Sequence, residues 1–271
     1  MHNFKSRFEL SKGKWVYIQI EDLANHAKDH IRQIRDLWTP PEYFFHLQKG
    51  GHIAALRLHT PNEWYGKVDL SKFFNNITRH RVTRSLKRIG YSFRDAEEFA
   101  VASTVLVNHA TRRYVLPYGF VQSPLLASIS LDKSDLGNCL RRLHEETVSV
   151  SVYVDDIVVS ADSERDVAEA LSNIYLAAIN SRFPINEEKS RGPSSTLNAF
   201  NIELDMHELE ITAKRYEKMC GEVLINGTGQ VSDAILNYVQ TVNPAQAEQM
   251  LRDFPGVFGT LSSSASRYDA S

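Results

Sequence analysis

The chain has 271 residues, with 31 Lys and Arg against 33 Asp and Glu, so its formal charge is −2. With 42% hydrophobic and 24% charged residues it can bury a core, which excludes disorder as its main state and excludes a uniformly basic nucleic-acid coat. The near-neutral sum hides an asymmetry: residues 1–113 carry 19 basic and 11 acidic side chains, and residues 114–271 carry 12 and 22. Such a split points to a charged partner on one side.

In chain order, Lys14 to Ile20 reads as a short strand, followed by a helix through Leu23, Ala27, Ile31, Ile34 and Leu37 that stops at Pro40-Pro41. Glu42 to Gln48 and His52 to His59 read as a hairpin joined by Lys49-Gly50-Gly51. Trp64 to Leu70 is a central strand ending on an aspartate. Helical spacing resumes at Val82, Leu86 and Ile89, and again from Asp95 through His109. Ser123 as N-cap and Pro124 at the first position start one helix that runs to Leu143, with a bend near Gly137. Thr147 to Val154 and Ile157 to Ala161 form a hairpin with Asp155-Asp156 as its turn, and Ser163 caps a helix to about Arg182. Strands are predicted at Leu197 to Leu204 and Leu209 to Ala213, and helices near Arg215 to Ile225 and Asp233 to Val242, with Pro244 and Pro255 interrupting. Leu261 to Ser271 reads as a frayed tail.

The two cysteines, Cys139 and Cys220, make neither a disulfide framework nor a zinc site and read as small helical residues. His26 and His30 have the spacing of a zinc helix without its glutamate and read as surface. No secretory signal is visible, and no run approaches the roughly 18–20 apolar residues of a spanning helix, so the expectation is a cytoplasmic protein without a membrane partner.

Paired carboxylates at a hairpin tip suit hard divalent cations, because Mg²⁺ takes oxygen ligands and commonly one or two carboxylates plus substrate phosphates. Taken alone, Asp155-Asp156 reads more readily as a common solvated turn, and Asp69 could equally cap the helix after it. Three segments read together go further. Asp69-Leu70-Ser71-Lys72-Phe73-Phe74, then Leu116-Pro117-Tyr118-Gly119 through Ser123-Pro124-Leu125-Leu126-Ala127, then Tyr153-Val154-Asp155-Asp156 resemble, in order, the palm motifs of reverse transcriptases. The resemblance is to bacterial ones of the group II intron, retron and defence-associated kind.

That resemblance implies an α+β fold, a right-hand polymerase palm of antiparallel sheet flanked by helices. Residues 1–66 would be the N-terminal part of the fingers, 67–213 the palm with inserted fingers helices, and 214–271 a reduced thumb. It implies two Mg²⁺ ions, with Mn²⁺ as the alternative, held by Asp69, Asp155, Asp156 and the Leu70 carbonyl. Phe74 falls at the steric gate that excludes a ribose 2′-hydroxyl, Gly119 would let backbone approach the nucleotide, and Lys189 matches a lysine that faces the triphosphate as proton donor. By analogy Lys49 and Arg57 would grip the triphosphate. The basic helix residues Arg79, Arg81, Arg84, Lys87 and Arg88 read as a phosphate-backbone surface, with a solvated helix face as the competing view. Phe200 to Leu204 falls at the primer-grip hairpin.

Two features depart from the pattern. Tyr118 stands where the family has a glutamine that touches the nucleotide sugar and the template base. Residues 206–271 carry 5 basic and 8 acidic side chains, whereas a segment that grips a duplex should be basic. The expected substrates are dNTPs, an RNA template and a DNA or RNA primer, with a non-coding RNA or protein helping to hold the product, and defence against phage as the setting. Template-independent or protein-primed DNA synthesis, RNA synthesis on the same palm, and a non-catalytic nucleic-acid scaffold are the alternatives.

Overall fold

The computed structural model describes residues 3–146, 148–205 and 207–259. It opens with a hairpin of β1 (Phe4–Ser11) and β2 (Lys14–Gln19), then α1 (Glu21–Leu37). His30 of α1 stacks on Phe99 with ring centroids 4.0 Å apart, so it is not a free surface histidine. The expected hairpin over 42–59 is absent. A 3-10 turn (Phe45–Leu47) leads to α2 (Gly51–Arg57), with Gly50 at φ 89° as its N-cap. Ile53 and Leu56, three residues apart, are buried on one side of that helix, and this burial decides an apolar run too short to read by pattern.

β3 (Trp64–Asp69), a 3-10 turn (Phe74–Asn76), α3 (Arg79–Arg88) and α4 (Phe93–Ala102) follow. The predicted helix through His109 ends seven residues early. Thr104 Oγ1 bonds back to the Ala100 carbonyl, and the branched residues beyond form β4 (Val105–Asn108), paired with β5 (Arg113–Val115). The predicted helix from Ser123 to Leu143 is two: α5 (Ser123–Asp132), whose N-cap is Gln122, and α6 (Asp135–Glu145), capped by Ser134 Oγ accepting from the Gly137 N–H.

The hairpin that carries the paired aspartates is β6 (Ser149–Tyr153) and β7 (Asp156–Ala161), followed by α7 (Glu164–Asn180). Thr147, the predicted start of β6, lies outside the described residues. Asp156 is already in β7, so the tip is Val154-Asp155. Next come β8 (Arg191–Ser194), which the sequence reading missed, β9 (Thr196–Ala199), β10 (Ile202–Asp205) and β11 (Glu208–Ile211). Phe200 and Asn201, at φ 58° and 62°, turn β9 into β10 and split the single strand expected there. The chain closes with α8 (Ala213–Asn226), α9 (Gln230–Val242), α10 (Pro244–Asp253) and α11 (Pro255–Phe258); Pro244 and Pro255 open helices instead of interrupting them. The predicted tail at 261–271 lies outside the described residues.

The central sheet is antiparallel in the order β6-β7-β3-β8. Side chains alternate across it and so divide two cores. Gly66 and Val68 face α7, and a methyl group added to Gly66 would lie 2.9 Å from Leu171. Val68 joins a core with α1 and α3 to α7. Tyr65 and Val158, on the other face, join α2, β9 to β11 and the C-terminal helices. Lys67 and Asp69 are in phase with Tyr65, and therefore lie on the face away from α7.

Candidate active site

The register of the sheet brings the aspartates together. Asp69 is the β-ladder partner of Asp156, and the Leu70 N–H donates to the Asp155 carbonyl at 2.9 Å. The Asn186 N–H donates to the Asp69 carbonyl at 2.9 Å, which fixes the loop bearing Lys189 beside β3. Lys189 Nζ lies 3.7 Å from Asp69 Oδ2 and is well exposed. Burial raises the Asp155 pKa, and the neighbouring Asp156 and, less strongly, Asp69 raise it further. A carboxylate pressed in that direction is relieved by a cation.

The three aspartates do not share one cage. Asp156 Oδ1 pairs with Lys67 Nζ at 2.8 Å, both side chains being largely buried. Among the described residues no group of three His, Cys, Asp or Glu side chains is arranged to hold a metal ion. Asp69 and Asp155 remain as a pair of hard oxygen donors at one edge, and two carboxylates completed by substrate phosphates are a sufficient protein contribution for Mg²⁺. The donor set fits the ion, with Asp156 engaged by lysine.

An aromatic wall stands next to this pair. Phe74 is buried and meets Tyr118 edge-on with centroids 4.7 Å apart, while Phe73 packs in the core. Burial and then the charges of Asp155 and Asp69 push the Tyr118 hydroxyl up to about 12, so it stays protonated and can donate. Lys14 Nζ sits 4.6 Å above the Tyr118 ring. The Tyr17 N–H donates to the Tyr118 carbonyl at 2.8 Å, which ties the N-terminal hairpin to the site. Gly119, at φ 99°, is required there, because any Cβ would run into the Tyr17 carbonyl oxygen.

The tip is held from beneath. Val154 has φ 62°, an uncommon conformation for a β-branched residue. Its N–H donates to His46 Nδ1 at 3.1 Å, so His46 Nε2 carries the proton and donates to Ser128 Oγ at 2.6 Å. Burial lowers the His46 pKa, in keeping with that neutral form. On the other flank Phe200 meets Tyr153 edge-on at 5.2 Å and lies 5.7 Å from Lys67 Nζ.

Other predicted positions lie apart. Arg57 donates to the Thr241 carbonyl of α9, and Lys49 is exposed just before α2, so neither is on the hairpin that meets Tyr118. The cations of α3 fan out. Arg79 stacks on Tyr114 at 3.6 Å, Lys87 lies 5.5 Å from Phe93, and Arg81 turns inward over Phe183. Sequence reasoning missed Lys14, Lys67 and His46. Lys67 carried a signal, since two residues before Asp69 on a strand means the same face. Lys14 and His46 carried none.

A profile described as reverse transcriptase (RNA-dependent DNA polymerase) matches residues 11–211, the span that contains every element of this site. The chain belongs to the reverse transcriptase family. It is 22% identical over 198 residues to the Retron Ec86 reverse transcriptase of Escherichia coli, covering 71% of this chain and 59% of that protein. It is 27% identical over 144 residues to the Retron Ec48 reverse transcriptase of the same organism, covering 53% and 34%. The chain thus spans little more than half the length of the first of these relatives. Among solved structures, a foamy viral protease-reverse transcriptase in complex with double-stranded DNA aligns over 95% of this chain and 38% of its own, with 14% identity and a TM-score of 0.49. Within this member of the family the β6-β7-β3-β8 sheet carries α5 to α7 on one face. Among the described residues no helix is long and apolar enough to cross a membrane.

Proposed function

We propose that this chain extends a primer 3′-hydroxyl with deoxynucleotides on an RNA template. The observation that carries the reading is the approach of Asp155 to the end of β3, where the Leu70 N–H meets its carbonyl beside Asp69 and the Phe74–Tyr118 wall. Two Mg²⁺ ions, when bound, would neutralise triphosphate charge and make the hydroxyl a better nucleophile. Asp69 and Asp155 would hold them, with the Leu70 carbonyl as the added ligand, while Asp156 keeps Lys67 beside the primer end. Phe74 closes the floor against a 2′-hydroxyl. Lys189, whose ammonium reaches Asp69, would protonate the departing pyrophosphate. Lys14, projecting over Tyr118, is a better placed triphosphate contact than Lys49 or Arg57. Residues 1–66 would be the fingers portion, 67–213 the palm, and 214–271 the reduced thumb.

The test is extension of a DNA primer on RNA with dNTPs and Mg²⁺, with Mn²⁺ in a parallel arm. Product must appear with the native chain and vanish in the Asp155→Asn variant; extension that survives this change refutes the assignment. Tyr118 favours a second reading, template-independent or protein-primed synthesis, because a tyrosine in place of glutamine alters the contact with sugar and template base. Products whose sequence ignores the added template would establish it. A role in phage defence predicts that plaque counts rise when Asp155→Asn replaces the native residue in a protected host.

A further inference from the structure

The helical side of the palm holds a cleft of about 530 Å³ between α3, the α5–α6 junction and the end of α7. None of Asp69, Asp155, Phe74, Tyr118 or Lys189 lines it, and the alternation of β3 puts Asp69 on the opposite face of the sheet. Six cations line it, Arg81, Arg84, Arg88, Arg113, Lys133 and Arg182, against one carboxylate, Asp135. They come from separate stretches of chain, so the fold and not a basic run gathers them.

These cations are positioned without being neutralised. Arg81 donates to the Ser181 carbonyl and lies 4.3 Å from the Phe183 ring centre. Arg88 donates to the Lys133 carbonyl, and Arg113 to the Asn75 carbonyl at 2.8 Å. Among the described residues none of the five arginines has a carboxylate partner. Only Lys133 is paired, to Asp132 at 3.0 Å, which it shares with Arg141. Two buried donors on residues of the cleft wall lack a hydrogen-bond partner, Arg81 Nη1 and Ser130 Oγ, and Ser130 is 1% exposed. Folded proteins seldom leave such groups unanswered. Uncompensated guanidinium groups together with unpaired donors select oxyanions, and phosphate above others.

Among the described residues no aromatic side chain lines the cleft, so a nucleobase would find no aromatic platform there. The cations come from α3, the α5–α6 junction, the end of α7 and Arg113 of β5, and six of them exceed what one phosphate needs. We propose that this cleft seats backbone phosphates of a folded RNA, outside the polymerase site. The inference rests on the reading that the chain handles RNA, and it assigns that RNA a second anchorage. Base-paired RNA is recognised largely through its shape and phosphates, which a base-blind cleft can do.

The test measures binding of a labelled RNA hairpin over a salt series, without dNTPs or divalent metal. It compares the native chain with Arg84→Gln/Arg88→Gln/Arg182→Gln, three exposed positions, and with the corresponding triple lysine variant. We expect the glutamine variant to bind at least about tenfold more weakly, with a log–log salt slope shallower by about two to three. The lysine variant should regain most of the affinity, and Arg182→Gln alone should leave extension of a short primed oligonucleotide unchanged. Equal affinity and slope in the glutamine variant overturn the proposal. So does competition by inorganic phosphate or polyglutamate, but not by RNA, for a probe placed in the cleft, since the site then serves a small anion or an acidic protein. A native chain that binds the hairpin but extends no primer refutes the polymerase reading and leaves this one standing.

Discussion

The Tyr118 ring has Phe74 against its edge at 4.7 Å and the Lys14 ammonium above it at 4.6 Å, so three side chains from distant parts of the chain shape one wall. If Phe74 bars a 2′-hydroxyl, Phe74→Val should raise ribonucleotide incorporation relative to deoxynucleotide by about tenfold or more, read from competitive single-nucleotide extension. Lys14→Gln should raise the KM for dNTPs more than it lowers kcat. Beneath the tip, His46 secures the strained Val154 backbone through its N–H. His46→Phe keeps an aromatic ring and loses that acceptor, so kcat should fall while the KM for dNTPs changes little, as for a residue that positions Asp155 without touching substrate. Of these residues, Phe74 and Tyr118 were legible because they sit at fixed offsets within recognisable motifs. Lys14 and His46 act through tertiary approach, a lysine over a ring and an imidazole under a turn, for which local sequence has no signature.

Among the elements, the legible ones had a strong period or a clear stop. β3, α1, α7 and the β6–β7 pair fall within two or three residues of expectation. The misread segments share a physical cause, which is that burial overrode a short pattern. Residues 51–57 are helical because Ile53 and Leu56 bury together, and residues 105–108 leave the helix because they find a strand partner at 113–115. Close approaches of backbone were equally hidden. Gly119 admits β2 against the site, so Gly119→Ala should loosen the N-terminal hairpin, making residues 4–19 more sensitive to limited proteolysis and cutting activity together with it. Gly66 admits Leu171 against β3, and Gly66→Val should cost about 1–3 kcal/mol by overpacking, read as a lowered urea midpoint with an unchanged slope.

For the whole molecule, His59 supplies the clearest dependence on pH. It is fully buried, its Nδ1 lies 2.7 Å from Ser160 Oγ and its Nε2 2.8 Å from Ser151 Oγ, and burial lowers its pKa from 6.5 to about 3. The folded chain therefore binds fewer protons here than the unfolded one between those values. The contribution to stability is complete above pH 6.5 and is lost as pH falls toward 3, amounting to roughly 2–3 kcal/mol by pH 4.5 at 1.36 kcal/mol per unit. Comparing urea midpoints of the native chain and His59→Gln at pH 7.5 and 4.5 checks this, the native chain showing the steeper loss. The charge asymmetry read from composition also resolves at this scale. Much of the basic excess of residues 1–113 turns away from the aspartates toward the helical side, joined there by Lys133 and Arg182 from the acidic half. The strand β3 is the partition that makes this possible. Because its odd-numbered side chains reach the aspartate face and its even-numbered ones the helical core, changes on the two sides share no partners. Free energies of a Lys67 substitution and an Arg84 substitution should add to within about 0.5 kcal/mol. The two faces can accordingly be altered separately, one changing what it holds while the carboxylate pair on the other stays as it is.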